Sequence, residues 1–183
     1  DDILSNQISR VEILKGNQSS IYGSGAMGGT INITTKRGKP GFQRNFFYNT
    51  GSYKTHNMGY SIGGADAERD FYIGLERFYT DGESAMTHND EKDSYKNHSL
   101  LANYGYHISD EVELRTNYRF IDARLEYDAI NDDYSEFNDK SHEKESVASV
   151  SLFHNPSEQL SNSFTISNAY SSRTADGSIS SFA

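Results

Sequence analysis

The feature that most constrains this chain is a series of segments, from residue 42 to residue 170, in which apolar and polar residues alternate with a period of two. Phe42, Phe46 and Tyr48 share one parity; so do Met58, Tyr60 and Ile62, and so do Phe71, Ile73, Leu75 and Tyr79. The pattern is cleanest at Leu100, Ala102, Tyr104, Tyr106 and Ile108 and at Val112, Leu114, Thr116, Tyr118 and Phe120. It returns at Ala148, Val150 and Leu152, and at Phe164, Ile166 and Tyr170. The opposite parity is polar: Asn103 and His107, then Glu113, Arg115, Asn117 and Arg119. Side chains of a strand alternate between its two faces, so each segment is expected to be a strand with one greasy and one wet face.

The expected connections at about 66–69, 109–110 and 155–159 are short, whereas those at about 80–94 and 122–146 are long and acidic. Strands of about ten residues, with short turns at one end and long loops at the other, are the pattern of a transmembrane β-barrel. The competing architecture is a soluble antiparallel sandwich, whose strands average about five or six residues. Composition fits either. The 183 residues hold 13 Tyr, 10 Phe and 15 Gly but only 2 Pro and no Cys. Aromatics at 13% argue against disorder despite a hydrophobic fraction of only 34%. Without Cys there is no disulfide, thiolate metal site or cysteine nucleophile. A net charge of -9 argues against wrapping nucleic acid, which needs an excess of Lys and Arg. No apolar run is long enough for a transmembrane helix.

Residues 1–41 have a different texture. Ile8 to Gly16 and Thr30 to Lys36 read as two strands joined by a Gly- and Ser-rich turn from Ser19 to Gly29, and Arg37-Gly-Lys-Pro-Gly41 reads as a boundary. Gly23-Ser-Gly-Ala-Met-Gly28 formally matches a dinucleotide fingerprint, but a β-branched strand follows where that motif needs a helix, and Tyr48-Asn49-Thr50 stands where it needs an acid. Gly28-Gly29-Thr30 lacks the Lys of a phosphate-binding loop. These glycines read as structural. The six histidines show no metal-ligand spacing.

The composite stretch Arg10-Val-Glu12-Ile-Leu-Lys-Gly16, then Ser20-Ile-Tyr22-Gly23-Ser-Gly-Ala-Met-Gly28-Gly29, then Ile31-Asn32-Ile-Thr-Thr-Lys36 closely resembles the end of the plug domain of TonB-dependent outer-membrane receptors. It departs from the family pattern at Asn17, where Pro is usual. The resemblance implies an all-β chain. Residues 1–38 would be the C-terminal part of a plug, and 41–183 about seven strands of an antiparallel transmembrane barrel of the 22-stranded type. It also implies transport rather than catalysis, at the outer membrane of a Gram-negative bacterium. The partners implied are the TonB energy-transducing protein, outer-membrane lipid, and a corrinoid or iron-chelate ligand. The chain starts on Asp1 and stops in polar sequence, so both domains are expected to be cut. Arg10 and Glu12 share a strand face and are candidates for a latch between plug and wall, or for an ordinary surface pair.

Within the family, the cobalamin-transporting branch is the most similar. Tyr127-Asp128-Ala129, with Asp139 eleven residues after Asp128, resembles the calcium-holding loop of that branch. By the same resemblance Asn89, Glu91 and Asp93 join Tyr127, Asp128 and Asp139 as calcium ligands, and Asp128 and Ala129 lie at the corrinoid. Ser84 stands where the branch has a further Asp, and Asp81 is a possible substitute. Independently, two facing acidic loops repel one another unless solvated or bridged, and Ca²⁺ takes six to eight oxygen ligands. A siderophore or haem receptor of the same family, and a soluble β-rich binding or adhesion domain, are the alternative functions.

Overall fold

The computed structural model describes residues 3–83, 92–130 and 136–176, and of 128–130, 136–138 and 176 the backbone alone. Two antiparallel sheets are present among the described residues. The small one pairs β1 (Ile8–Lys15) with β2 (Gly29–Thr35). A 3₁₀ turn at Ser5–Gln7 precedes it. The glycine-rich link, expected as plain turn, contains a one-turn helix α1 (Ser19–Tyr22) and a 3₁₀ turn at Ser24–Ala26. Asn17 Oδ1 accepts from the Ser19 amide at 2.9 Å, an Asx-type contact that starts this helix where a proline is usual in the family pattern. Gly29 has φ +144, and a Cβ there would lie 2.6 Å from the Leu14 carbonyl oxygen, so the return into β2 requires glycine.

The large sheet is a seven-stranded meander. It runs through β3 (Gly41–Gly51), β4 (Thr55–Ala65), β5 (Arg69–Thr80), β6 (Tyr95–His107), β7 (Val112–Ile130), β8 (Glu136–Ser157) and β9 (Leu160–Asp176), each paired with the next. Registers are unbroken except for an irregularity between His154 and Ser157. A continuous register keeps every apolar set on one side of the sheet. The parity that reads apolar in the sequence faces away from β1 and β2 and stays exposed: Phe46 is 66% exposed and Ile166 64%. The other parity faces the β1–β2 unit and holds the buried residues, among them Leu101 at 0% exposure, Ile121, Tyr72, Ser99 and Asn103. No described helix is long and apolar enough to cross a membrane, which has no bearing on strands.

The short connections lie at one end of the sheet, at 66–68, 108–111 and 158–159. Asp66 closes the first by accepting from the Glu68 and Arg69 amides, both at 2.9 Å, and these amides hold its carboxyl below the usual carboxylate range. The opposite end carries the end of β5, the start of β6, the facing ends of β7 and β8, and one tight hairpin at 52–54, where Tyr53 and Lys54 both adopt positive φ. The expected long acidic loop at 122–146 is a correction. β7 continues to Ile130 and β8 starts at Glu136, so most of it is ladder. Asp122, Arg124 and Glu126 stand against Lys144, His142 and Lys140 on the adjacent strand. Two of these pairs, Asp122 with Lys144 and Glu126 with Lys140, set opposite charges across the ladder, which supports strand pairing where the outward face turns polar.

Candidate functional site

The contacts between the β1–β2 unit and the large sheet are polar and converge on three wall strands. Asn6 Nδ2 donates to Glu76 Oε1 at 3.0 Å, and Gln7 Nε2 donates to Ser99 Oγ at 2.8 Å across a buried contact. Asn103 Nδ2 donates to the Lys36 carbonyl at 2.6 Å and to Thr35 Oγ1 at 3.2 Å. Arg37 makes a two-pronged pair with Asp70, Nη2 to Oδ1 at 2.6 Å and Nε to Oδ2 at 3.2 Å. Its Nη2 also lies 3.9 Å from Glu113. A Cβ on Gly105 would sit 2.5 Å from both Arg37 Nη2 and Asp70 Oδ1, so that glycine makes room for the pair. Paired guanidinium and carboxylate with matched forks are a strong, directional contact.

Arg10 and Glu12, candidates for either a latch or an ordinary surface pair, are not among these contacts. Arg10 Nη2 lies 3.1 Å from Glu12 Oε2, both side chains are well exposed, and Glu12 Oε2 also accepts from Asn32 Nδ2 at 3.1 Å. Asn32 sits directly opposite Glu12 in the β1–β2 register. The remaining residues of the motif shape the link. Gly16 and Gly23 have positive φ, Tyr22 ends α1, and Gly28 and Gly29 lead into β2. The seam residues Asn6, Gln7, Thr35, Lys36 and Arg37 were not singled out by sequence. Their partners Asn103 and Glu113 carried a signal, being polar on the parity opposite the apolar one.

At the long-loop end, Asp81 is nearly buried and fully engaged. Lys92 Nζ lies 2.6 Å and Lys54 Nζ 3.2 Å from Asp81 Oδ2, and the Tyr79 hydroxyl donates to Oδ1. Lys92, Tyr79 and Lys54 hold this carboxyl well below the usual carboxylate range. The Asp81 amide donates to the Tyr53 carbonyl at 2.8 Å, so one residue ties the 52–54 hairpin to the start of the next loop. With both oxygens occupied by cationic and hydroxyl partners, Asp81 is a poor replacement for the ligand missing at Ser84.

Of the expected calcium ligands, Asn89 and Glu91 lie outside the described residues, and so do the side chains of Asp128 and Ala129. Asp93, Tyr127 and Asp139 are described, and the fold gathers them at one end. The Glu126 amide donates to the Ser94 carbonyl at 2.9 Å, which holds the 93–94 segment against β7, and Tyr127 pairs with Asp139 across β7 and β8. Asp139 Oδ1 is buried and has no hydrogen-bond partner among the described residues. An unsatisfied buried carboxylate oxygen calls for a cation, water or donor. Among the described residues no three carboxylate or imidazole side chains come together as a metal site.

Residues 1–30 match the family model described as TonB-dependent Receptor Plug Domain. Over 124 residues, 66% of its length, the chain is 30% identical to the vitamin B12 transporter BtuB of Photobacterium profundum, and it spans 20% of that protein. In fold it is similar to the crystal structure of the siderophore receptor PiuA from Acinetobacter baumannii. The TM-score is 0.76 over 92% of this chain and 27% of the other, at 13% identity. The plug motif, the meander with its exposed apolar face, and these similarities support reading the chain as part of a TonB-dependent receptor.

Proposed function

We infer that the complete protein is an outer-membrane transporter that takes up a corrinoid, of the cobalamin type, with energy supplied through TonB. The observation that carries the membrane part is the inverted sheet: apolar side chains exposed along one face and polar ones buried against the plug on the other. A contiguous exposed apolar face needs a cover, and lipid supplies it for a barrel. The strands are long enough, since about 9–11 tilted residues cross a bilayer core. Plug residues 6–7 and 35–37 sit on the lumen wall, where their polar contacts close a space that would otherwise leak. Such hydrogen bonds are individually modest, so a pull transmitted along the chain can release them in sequence.

The corrinoid reading rests on the resemblance of Tyr127-Asp128-Ala129 and Asp139 to the cobalamin branch, supported by identity to a protein named as a vitamin B12 transporter. Calcium belongs to the same reading. Asp93, Tyr127 and Asp139, with Asn89, Glu91 and Asp128, would hold it through carboxylate, amide and backbone oxygen, and the partnerless Asp139 Oδ1 supports a cation there. Bound Ca²⁺ would neutralise the facing loops and order the outer rim, leaving Ala129 to meet the ligand. No bond-changing chemistry is assigned to any residue.

Uptake of radiolabelled cyanocobalamin by cells expressing the complete gene, with and without TonB, tests this reading. TonB-dependent accumulation is the expected result. Accumulation of a ferric chelate instead would transfer the protein to the siderophore or haem alternative.

A further inference from the structure

The β1–β2 unit meets the wall at two places that are neighbours in space but differ in chemistry. Its entry, residues 6–7, and its exit, residues 35–37, lie side by side, because the Lys36 amide donates to the Gln7 carbonyl at 2.9 Å. The exit is well paired. Arg37 forks onto Asp70, Asn103 donates to both Thr35 and Lys36, and Glu113 has Arg115 at 2.5 Å. Gly38 lies in a notch where a Cβ would sit 2.2 Å from the Gly64 carbonyl oxygen. The entry is poorly paired. Glu76 on β5 is only 6% exposed. Its Oε1 accepts one hydrogen bond, from Asn6 Nδ2 at 3.0 Å, and its Oε2 is buried with no hydrogen-bond partner among the described residues. A cavity of about 30 Å³ beside it, bordered by Gln7, Lys36, Ser61 and Tyr72, has room for one water. Lys36 borders this cavity, yet among the described residues it makes no ion pair with Glu76.

A carboxylate in open water accepts about four hydrogen bonds. Seated against Asn6, Glu76 has one protein donor and space for a single water. Holding the entry down therefore keeps a carboxylate short of partners, which is unfavourable. Lifting residues 6–7 opens it to lumen water and relieves that cost. The exit gains nothing comparable by lifting, because Arg37 and Asp70 would each lose a charged partner. We propose that Glu76 is a release element. It keeps the seated entry marginal, so that residues 6–7 leave the wall first when the chain upstream is pulled, while the Arg37 end holds. The ladder favours the same order. Entry and exit form its open end, and its register is irregular between Ile8 and Arg10, so a pull against a held exit opens pairs one at a time from there. Glu76 acts through Asn6 and is a positioning residue. The proposal rests on the transport reading above.

The experiment uses the complete receptor in lipid bilayers, without TonB, and reads hydrogen exchange at the amides of residues 7–9 by mass spectrometry. Glu76→Gln keeps an acceptor for Asn6 and removes the charge. Exchange there is expected to slow by about tenfold, as the penalty of an under-paired buried carboxylate is lifted. Asn6→Lys supplies the carboxylate with a cation and is expected to slow exchange in the same direction. Glu76→Ala removes the acceptor and is expected to speed it. A glutamate that only holds the entry in place predicts faster exchange in Glu76→Gln as well. In cells with TonB, Glu76→Gln and Asn6→Lys are expected to take up radiolabelled cyanocobalamin more slowly, with the affinity of the purified receptor for cyanocobalamin unchanged. If Glu76→Gln loses heat-modifiable barrel mobility, Asn6→Lys decides alone. Equal or faster exchange in a folded Glu76→Gln or Asn6→Lys would overturn the proposal, and so would slower exchange with wild-type uptake. Wild-type uptake is a separate readout: its independence of TonB would refute the transport reading, whatever the exchange gives.

Discussion

The two faces of the seven-stranded sheet are built from the same strands, yet they solve opposite problems. Inward positions bury Asn103, Ser99 and Glu76 beside Leu101 and Ile121, and pair the polar groups with Asn6, Gln7 and Lys36, which flank the β1–β2 unit. Outward positions leave Phe46, Val150 and Ile166 exposed. In a water-soluble sheet the exposed face would be polar and the buried face apolar. The inversion teaches that burial alone does not identify the hydrophobic side of this molecule; the solvent on each face does.

The largest expected effect comes from challenging the outward face. Val150 is 49% exposed and lies mid-belt on β8, in register with Thr116 and Ile166. Val150→Arg in the complete receptor is expected to cost about 2–4 kcal/mol when folding into lipid vesicles is measured by urea titration. In a soluble protein the same exposed substitution would change stability by about 0.5 kcal/mol or less. An unchanged urea midpoint would therefore break the comparison.

The inward face is expected to respond less strongly and to polar changes. Asn103→Ala removes the donor to the Lys36 carbonyl and the acceptor used by Asn117. A loss of about 1–3 kcal/mol is expected, because buried groups are left unpaired. Faster protease cleavage between residues 36 and 41 in the variant would place that loss at the plug seam; cleavage at the wild-type rate would argue that the seam does not hold the plug.

Much of this division was legible in the sequence. Every parity set from Phe42 to Tyr170 lies on one face, because a period of two has no other reading in a continuous register. The ends of β7 and β8 were not legible. Beyond Phe120 the apolar parity switches, with Asp122, Arg124 and Glu126 now charged and Ile121, Ala123 and Leu125 between them, and the partners Lys144, His142 and Lys140 lie on a strand that sequence does not place beside them. The seam was half legible: polar parity marked Asn103 and Glu113 as inward, but only the fold shows that they meet Lys36 and Arg37. Asp81 looked like a spare calcium ligand because sequence does not reveal the lysines that approach it.

Acid sharpens the contrast at the rim. The folded Asp81 carboxyl is depressed below its unfolded value of 3.8, chiefly by Lys92. Its stabilisation is therefore complete above that value and is lost as pH falls below it toward the folded value. Amides of the 52–54 hairpin are expected to exchange faster in Asp81→Asn at neutral pH, while wild type reaches similar exchange only in acid. Identical wild-type and variant protection at neutral pH would remove Asp81 as the organiser of that rim.

Calcium tests the same end of the molecule. Titration of the complete receptor by calorimetry is expected to show calcium binding that Asp139→Asn weakens about tenfold, the loss of one charged ligand. Absence of calcium binding to wild type would end that part of the account. The smallest effect is expected at Arg10, whose exposed pair with Glu12 contributes about 0–1 kcal/mol, so Arg10→Ala should leave stability and uptake near wild type. A large uptake defect would reinstate it as a latch.

The inversion of faces is tested most directly by nitroxide labels placed one at a time at 147–152 on β8, in the complete receptor reconstituted in lipid bilayers. Accessibility is read to molecular oxygen, which favours lipid, and to a water-soluble nickel chelate. Labels at 148, 150 and 152 are predicted to meet oxygen and exclude the chelate, with the opposite tendency at 147, 149 and 151. Chelate access at both parities, or no alternation, would contradict a lipid-facing sheet.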